Sequence, residues 1–139
     1  MLFRSAGHSA GGFTTAGLFT SGHSERLRGG IVIAGGGMTG TFAGPAAALL
    51  FVHGEADRTV HVTAARDAYR RVSWPKAFLT LTGQGHGEYL TPGRPGFDQI
   101  IATTTNFLRW RLYEDANARQ GIPAGARAPG VTKFADLLG

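Results

Sequence analysis

The sequence predicts an α/β fold, with about four parallel strands in chain order and flanking helices. Three observations predict it. Pro45 to His53 is an unbroken apolar run, as expected of a parallel strand buried on both faces. Strand-like and helix-like stretches alternate along the chain, which calls for right-handed crossovers between parallel strands. Polar, glycine-bearing turns follow the apolar runs, and open parallel sheets carry their functional groups at such strand ends.

The elements follow in order. Leu2 to Ala6 reads as a short strand, and about Ala10 to Thr20 as a helix. Gly30 to Ala34 is a β-branched strand that runs into three glycines, Gly35 to Gly37. After the strand ending at His53, Val60 to Val72 reads as a helix, with Val60, Ala64, Ala68 and Val72 on one stripe. A strand at Ala77 to Leu81 precedes a Gly- and Pro-rich loop from Gly83 to Gly96. A long helix is predicted from about Phe97 to Asn117, burying Ile100, Ile101, Phe107, Leu108 and Leu112. One domain over residues 1–120 and an irregular tail over 121–139 complete the reading, because the tail is rich in Gly, Ala and Pro.

Three turns carry chemistry. Gly7-His8-Ser9-Ala10-Gly11 has the Gly-x-Ser-x-Gly spacing of a sharp strand-to-helix turn that presents a serine hydroxyl. The flanking glycines belong to that geometry, since the chain before and after the serine runs too close for Cβ atoms. In a chain with 22 glycines the pattern alone says little, so the acid and the histidine decide its weight. Gly54-Glu55-Ala56-Asp57 follows the apolar strand and carries two carboxylates. Gly83-Gln84-Gly85-His86-Gly87 follows the next strand. The order is therefore serine, acid, histidine, each just beyond a strand's carboxyl end.

On these segments, Gly7 to Gly12, Leu50 to Val60 and Leu79 to His86, the chain resembles the α/β-hydrolases of the bacterial esterase, lipase and polyester-hydrolase type. Phe107 to Tyr113 also resembles the final helix of such proteins, so the likeness runs from Leu2 to about Tyr113. It covers the carboxyl-terminal half of that fold, from the strand of the nucleophile elbow onward. The resemblance implies a serine carboxylesterase with Ser9 as nucleophile, His86 as base and Asp57 as its orienting acid, with no cofactor and no metal. It assigns one oxyanion donor, the backbone N–H of Ala10. The family's second donor comes from a loop after an earlier strand, which has no counterpart before position 9. Weak activity is the expectation unless a partner subunit or another backbone amide substitutes.

Glu55 stays beside Asp57 as an alternative acid, and Phe42 and Tyr89 are candidates to line an acyl pocket. The glycines at 35–37 lack the Lys-Ser/Thr ending of a phosphate-binding loop and read instead as a loop beside that pocket. His8 occupies the variable elbow position and His53 closes a buried strand; both read as structural. A metal shared by His8, His53 and His86 lacks a supporting spacing. The net charge of +5 comes from scattered arginines with no run of five like charges, which argues against a nucleic-acid module. No apolar stretch approaches the ~20 residues of a membrane span. The first residues do not form a secretory signal. With no cysteine, disulfides are excluded and the compartment stays open. The first strand is expected to be an open edge through which the chain self-associates.

Overall fold

A computed structural model describes residues 1–20 and 22–139. Its five-stranded sheet has the order β1 (Phe3–His8), β2 (Leu27–Ile33), β3 (Ala48–Gly54), β4 (Lys76–Leu81), β5 (Thr132–Leu137). The first four strands are parallel and stand in chain order, as the sequence predicts. The α/β expectation therefore holds. Helices α1 (Ala10–Gly17), α2 (Val62–Arg71), α3 (Phe97–Tyr113) and α4 (Ala116–Ala126) flank the sheet.

β3 shows why the sheet is covered twice. Every one of its residues is buried. Leu50 and Val52 join one core cluster with Leu79, Leu81, Ile100, Phe107 and Ile122, while Leu49 and Phe51 join another with Phe19, Ala65, Ala68 and Phe78. Successive side chains of a strand point to opposite faces, so an unbroken apolar run needs a helical layer on each side. Here α3 and α4 cover one face and α1 and α2 the other.

The tail is the main correction. Residues 121–139 are not irregular: they hold the end of α4 and all of the antiparallel strand β5, paired to β4 from Lys76↔Leu137 to Leu81↔Thr132. The expected single helix from Phe97 to Asn117 is likewise two. Glu114 adopts a left-handed conformation (φ 55°) and ends α3. Asp115 then caps α4, its side chain accepting the Ala118 N–H at 2.9 Å. The small residues that read as breakers are the packing face of α4. Ala118, Ile122 and Ala126 are buried. At Gly125 an added Cβ would lie 2.9 Å from the Cβ of Ala102 on α3, so glycine there is what lets the two helices touch. Tertiary packing overrides the local propensity.

The other departure concerns α3. Ile100 and Phe107 are buried and Leu108 packs against the core, but Ile101 (48 % exposed) and Leu112 (41 %) face outward. They lie on a flank that neither the sheet nor α4 covers. β1 is an open edge, with β2 on one side and no strand pairing its other side among the described residues. Phe3 N–H and Ser9 N–H point to β2, bonding Arg26 O and Ile33 O. Alternation then turns the backbone groups of Arg4, Ala6 and His8 outward.

Candidate active site

The serine turn forms where β1 passes into α1. Ser9 stands at φ 57°, ψ −117°, a conformation that costs a non-glycine residue about 1–3 kcal/mol and persists only where its surroundings impose it. Those surroundings are specific. The Ser9 N–H donates to Ile33 O at 2.9 Å, Ser9 O accepts the Phe13 N–H at 3.1 Å, and a Cβ at Gly7 would fall on the Gly11 carbonyl. The turn lifts the serine clear of the sheet at its carboxyl end. Ala10 is exposed and opens α1, and its N–H lies at the positive end of that short helix.

The acid and histidine turns converge on this serine. His86 Nε2 lies 2.8 Å from Ser9 Oγ, and His86 Nδ1 lies 2.8 Å from Asp57 Oδ2. A carboxylate only accepts, so Nδ1 carries the proton and leaves the Nε2 lone pair to accept the serine O–H. Asp57 is buried (3 % exposed). Its Oδ1 accepts the N–H groups of Thr59 at 2.8 Å and Val60 at 2.9 Å. Burial pushes the Asp57 carboxyl up, but the bonds from His86, Val60 and Thr59 outweigh it and hold the group below the usual carboxylate range.

The alternative acid is occupied elsewhere. Glu55 Oε1 pairs with Lys133 Nζ of β5 at 3.0 Å, and its Oε2 accepts the Gly83 N–H at 3.3 Å. The two substrate-contact candidates are also corrected. Phe42 is buried among the side chains under α1 and α2, edge-on to Trp74 at 6.4 Å and beneath the Arg71 guanidinium. Tyr89 is fully buried beneath the site on the opposite face, and burial, with the Asp57 and Glu88 charges, pushes its hydroxyl well up. Both are core, and burying so large an aromatic surface is what favours that placement. The glycines at 35–37 serve helix packing, Gly35 against Gly12 of α1, Gly36 against Ala64 and Gly37 against Ala68 of α2, and Gly37 also borders a groove beside α2 that lies away from Ser9. Two surface grooves, of about 370 and 490 Å³, flank α2 and include none of Ser9, Asp57 and His86. Among the described residues no group of three or more His, Cys, Asp or Glu is arranged to hold a metal. No helix among them is long and apolar enough to cross a membrane.

Two side chains support the site: Glu88, which sequence reasoning missed, and His53, which it read as structural without placing it beside Asp57. Glu88 accepts the Gly85 N–H at 2.8 Å and the Gly87 N–H at 3.3 Å, folding the histidine loop on itself. An acid directly after the Gly-His-Gly run was the available signal. His53 is fully buried, donates Nε2–H to Val60 O at 2.7 Å, and stands 3.5 Å from Asp57 Oδ2. Burial lowers its pKa, against the opposing pull of the Val60 carbonyl and Asp57. Its native pKa is thus below the ~6.5 of an unfolded histidine, so the unfolded chain binds more protons as pH falls through about 6.5. Stability is full above that value and declines below it. Asp57, with a lowered carboxyl, adds its own loss only in the more acidic carboxylate range. His53→Gln keeps a donor for Val60 O but cannot titrate. Its urea-unfolding free energy is expected to fall less steeply between pH 7 and 5 than the wild type's, by at most about 1.4 kcal/mol per pH unit. Parallel curves would remove His53 as the source.

No protein-family model and no curated protein matches this sequence.

Proposed function

We propose that the chain is a serine hydrolase that cleaves small or short-chain carboxylic esters through an acyl-enzyme. One observation carries the reading: Asp57, His86 and Ser9 stand in a single relay of 2.8 Å contacts, with the serine on a strained turn at a strand's carboxyl end. Ser9 Oγ attacks the ester carbonyl carbon as its proton passes to His86 Nε2. The negative oxygen of the tetrahedral adduct faces the Ala10 N–H at the start of α1. The adduct collapses by breaking the bond to the alkoxide, which leaves as alcohol with the proton from His86. Water, deprotonated by His86, attacks the acyl-serine and releases the acid and Ser9. Asp57 keeps His86 in the required tautomer and stabilises its charged form in both steps. The chemistry needs no cofactor and no metal. The test is turnover of p-nitrophenyl butyrate by the wild type beside Ser9→Ala and His86→Ala.

A second reading has its own support. β1 is an open edge among the described residues, with Leu2 and Phe3 nearly half exposed. On this reading the relay is catalytically weak and the chain works as a binding or assembly module. Either way, self-association through β1 is proposed as the means by which the edge is covered. Light scattering on the eluting protein is expected to give twice the 14.6 kDa chain mass or more. A monomer at every concentration between 1 and 100 μM, roughly the range over which weak contacts form, would discard that part.

A further inference from the structure

One side chain outside the relay reaches the histidine loop from the nucleophile's own strand. His8, the last residue of β1, is exposed, and its Nε2 lies 2.7 Å from the backbone oxygen of His86. A carbonyl only accepts, so His8 Nε2 carries the proton and donates. The two imidazole rings stand 5.0 Å apart, tilted by 46°. Gly87 leaves room for the approach, since a Cβ there would come 3.1 Å from His8 Nε2 and push it back by a few tenths of an ångström.

We propose that His8 is a positioning residue: its bond to the His86 carbonyl fastens the histidine loop to β1 and sets the distance from His86 Nε2 to Ser9 Oγ. The inference rests on the serine-hydrolase reading. His86 is carried on a segment with glycine at 83, 85 and 87, whose backbone freedom is large. The other restraints act elsewhere. Asp57 holds the imidazole from the end of β3, and Glu88 binds Gly85 and Gly87 within the loop itself. Neither ties the loop to the strand that carries the nucleophile. His8 does, one residue before Ser9, so a side-chain bond to the His86 backbone and the ring's bond to Ser9 close a small cycle between the two segments. Because His8 is exposed, water can take over the freed His86 carbonyl. Loss of the bond therefore loosens the alignment rather than the fold, and alignment is what proton transfer depends on.

The test compares His8→Leu, which removes the donor at similar bulk, with His8→Gln, whose amide N–H₂ takes the place of Nε2–H. One readout needs no turnover: the low-field proton resonance of His86 Nδ1–H in the resting protein, which reports the bond to Asp57. The other is the division of any loss between kcat and KM on p-nitrophenyl butyrate. In His8→Leu the resonance is expected to broaden into exchange and kcat to fall about tenfold with KM within about twofold, the scale of one lost hydrogen bond. His8→Gln is expected to recover the resonance and bring kcat within about threefold of wild type. Leu and Gln variants that behave alike, whether both impaired or both normal, overturn the proposal. A wild type without turnover defeats the hydrolase reading alone, since the resonance still decides what His8 does.

Discussion

Purified wild-type chain is expected to hydrolyse p-nitrophenyl butyrate, and Ser9→Ala and His86→Ala are each expected to cost about 10⁴-fold or more. The size follows from the geometry. With the imidazole removed, Ser9 Oγ keeps its proton at neutral pH, and no other side chain hydrogen-bonds to that oxygen among the described residues. With the hydroxyl removed, there is no bond to make to the acyl carbon. The losses are expected not to add: Ser9→Ala/His86→Ala should be no slower than either single variant, because the two groups act as one unit. Thermal unfolding of the variants separates lost chemistry from lost fold. Neither side chain belongs to the buried apolar clusters, so midpoints close to wild type are expected. Equal rates for all the proteins would end the esterase reading and turn attention to what the open edge of β1 binds. Labelling of Ser9 by an organophosphorus probe supplies a second check, because it requires an activated serine.

The second large effect belongs to the acid. Asp57→Asn should retain the turn, since the side-chain carbonyl can still accept the N–H groups of Thr59 and Val60. The amide then presents N–H₂ to His86 Nδ1, a donor facing a donor. Relief comes from the other imidazole tautomer, with Nδ1 accepting and the proton on Nε2, and that tautomer cannot take the serine proton. A loss of roughly 10³- to 10⁴-fold in kcat is expected, with KM little changed. Glu55→Gln is the control. It gives up an exposed pair with Lys133 worth at most about 1 kcal/mol, and activity within about twofold of wild type is expected. A greater loss at Glu55 than at Asp57 would reverse the assignment.

The contrast between these carboxylates shows what could be read locally. Ser9 and His86 announce themselves through their own neighbours, glycines and a preceding apolar run, because a residue at a strand's carboxyl end is placed by a few adjacent residues. Glu55 and Asp57 share one turn, and nothing in that turn separates them. The separation comes from β5, whose Lys133 takes Glu55, while the Thr59 and Val60 amides and His53 surround Asp57. β5 is the strand that local composition hid.

The same division runs through the rest of the molecule. The sequence by itself determined the alternation of strands and helices, the doubly buried β3 and the serine–acid–histidine order, because each is written in short-range periodicity or in a turn. Only the tertiary structure decided that the Gly- and Ala-rich segment is a helix, that Phe42 and Tyr89 are core, and that Ile101 and Leu112 stay uncovered. Those outcomes depend on how closely two distant segments approach. Gly125 reads as a helix breaker until Ala102 is found against it, and His8 as a variable residue until the His86 carbonyl arrives from 78 positions away. Contact energy from distant partners exceeds the few tenths of a kcal/mol per residue that local propensity contributes, and no window of sequence contains it.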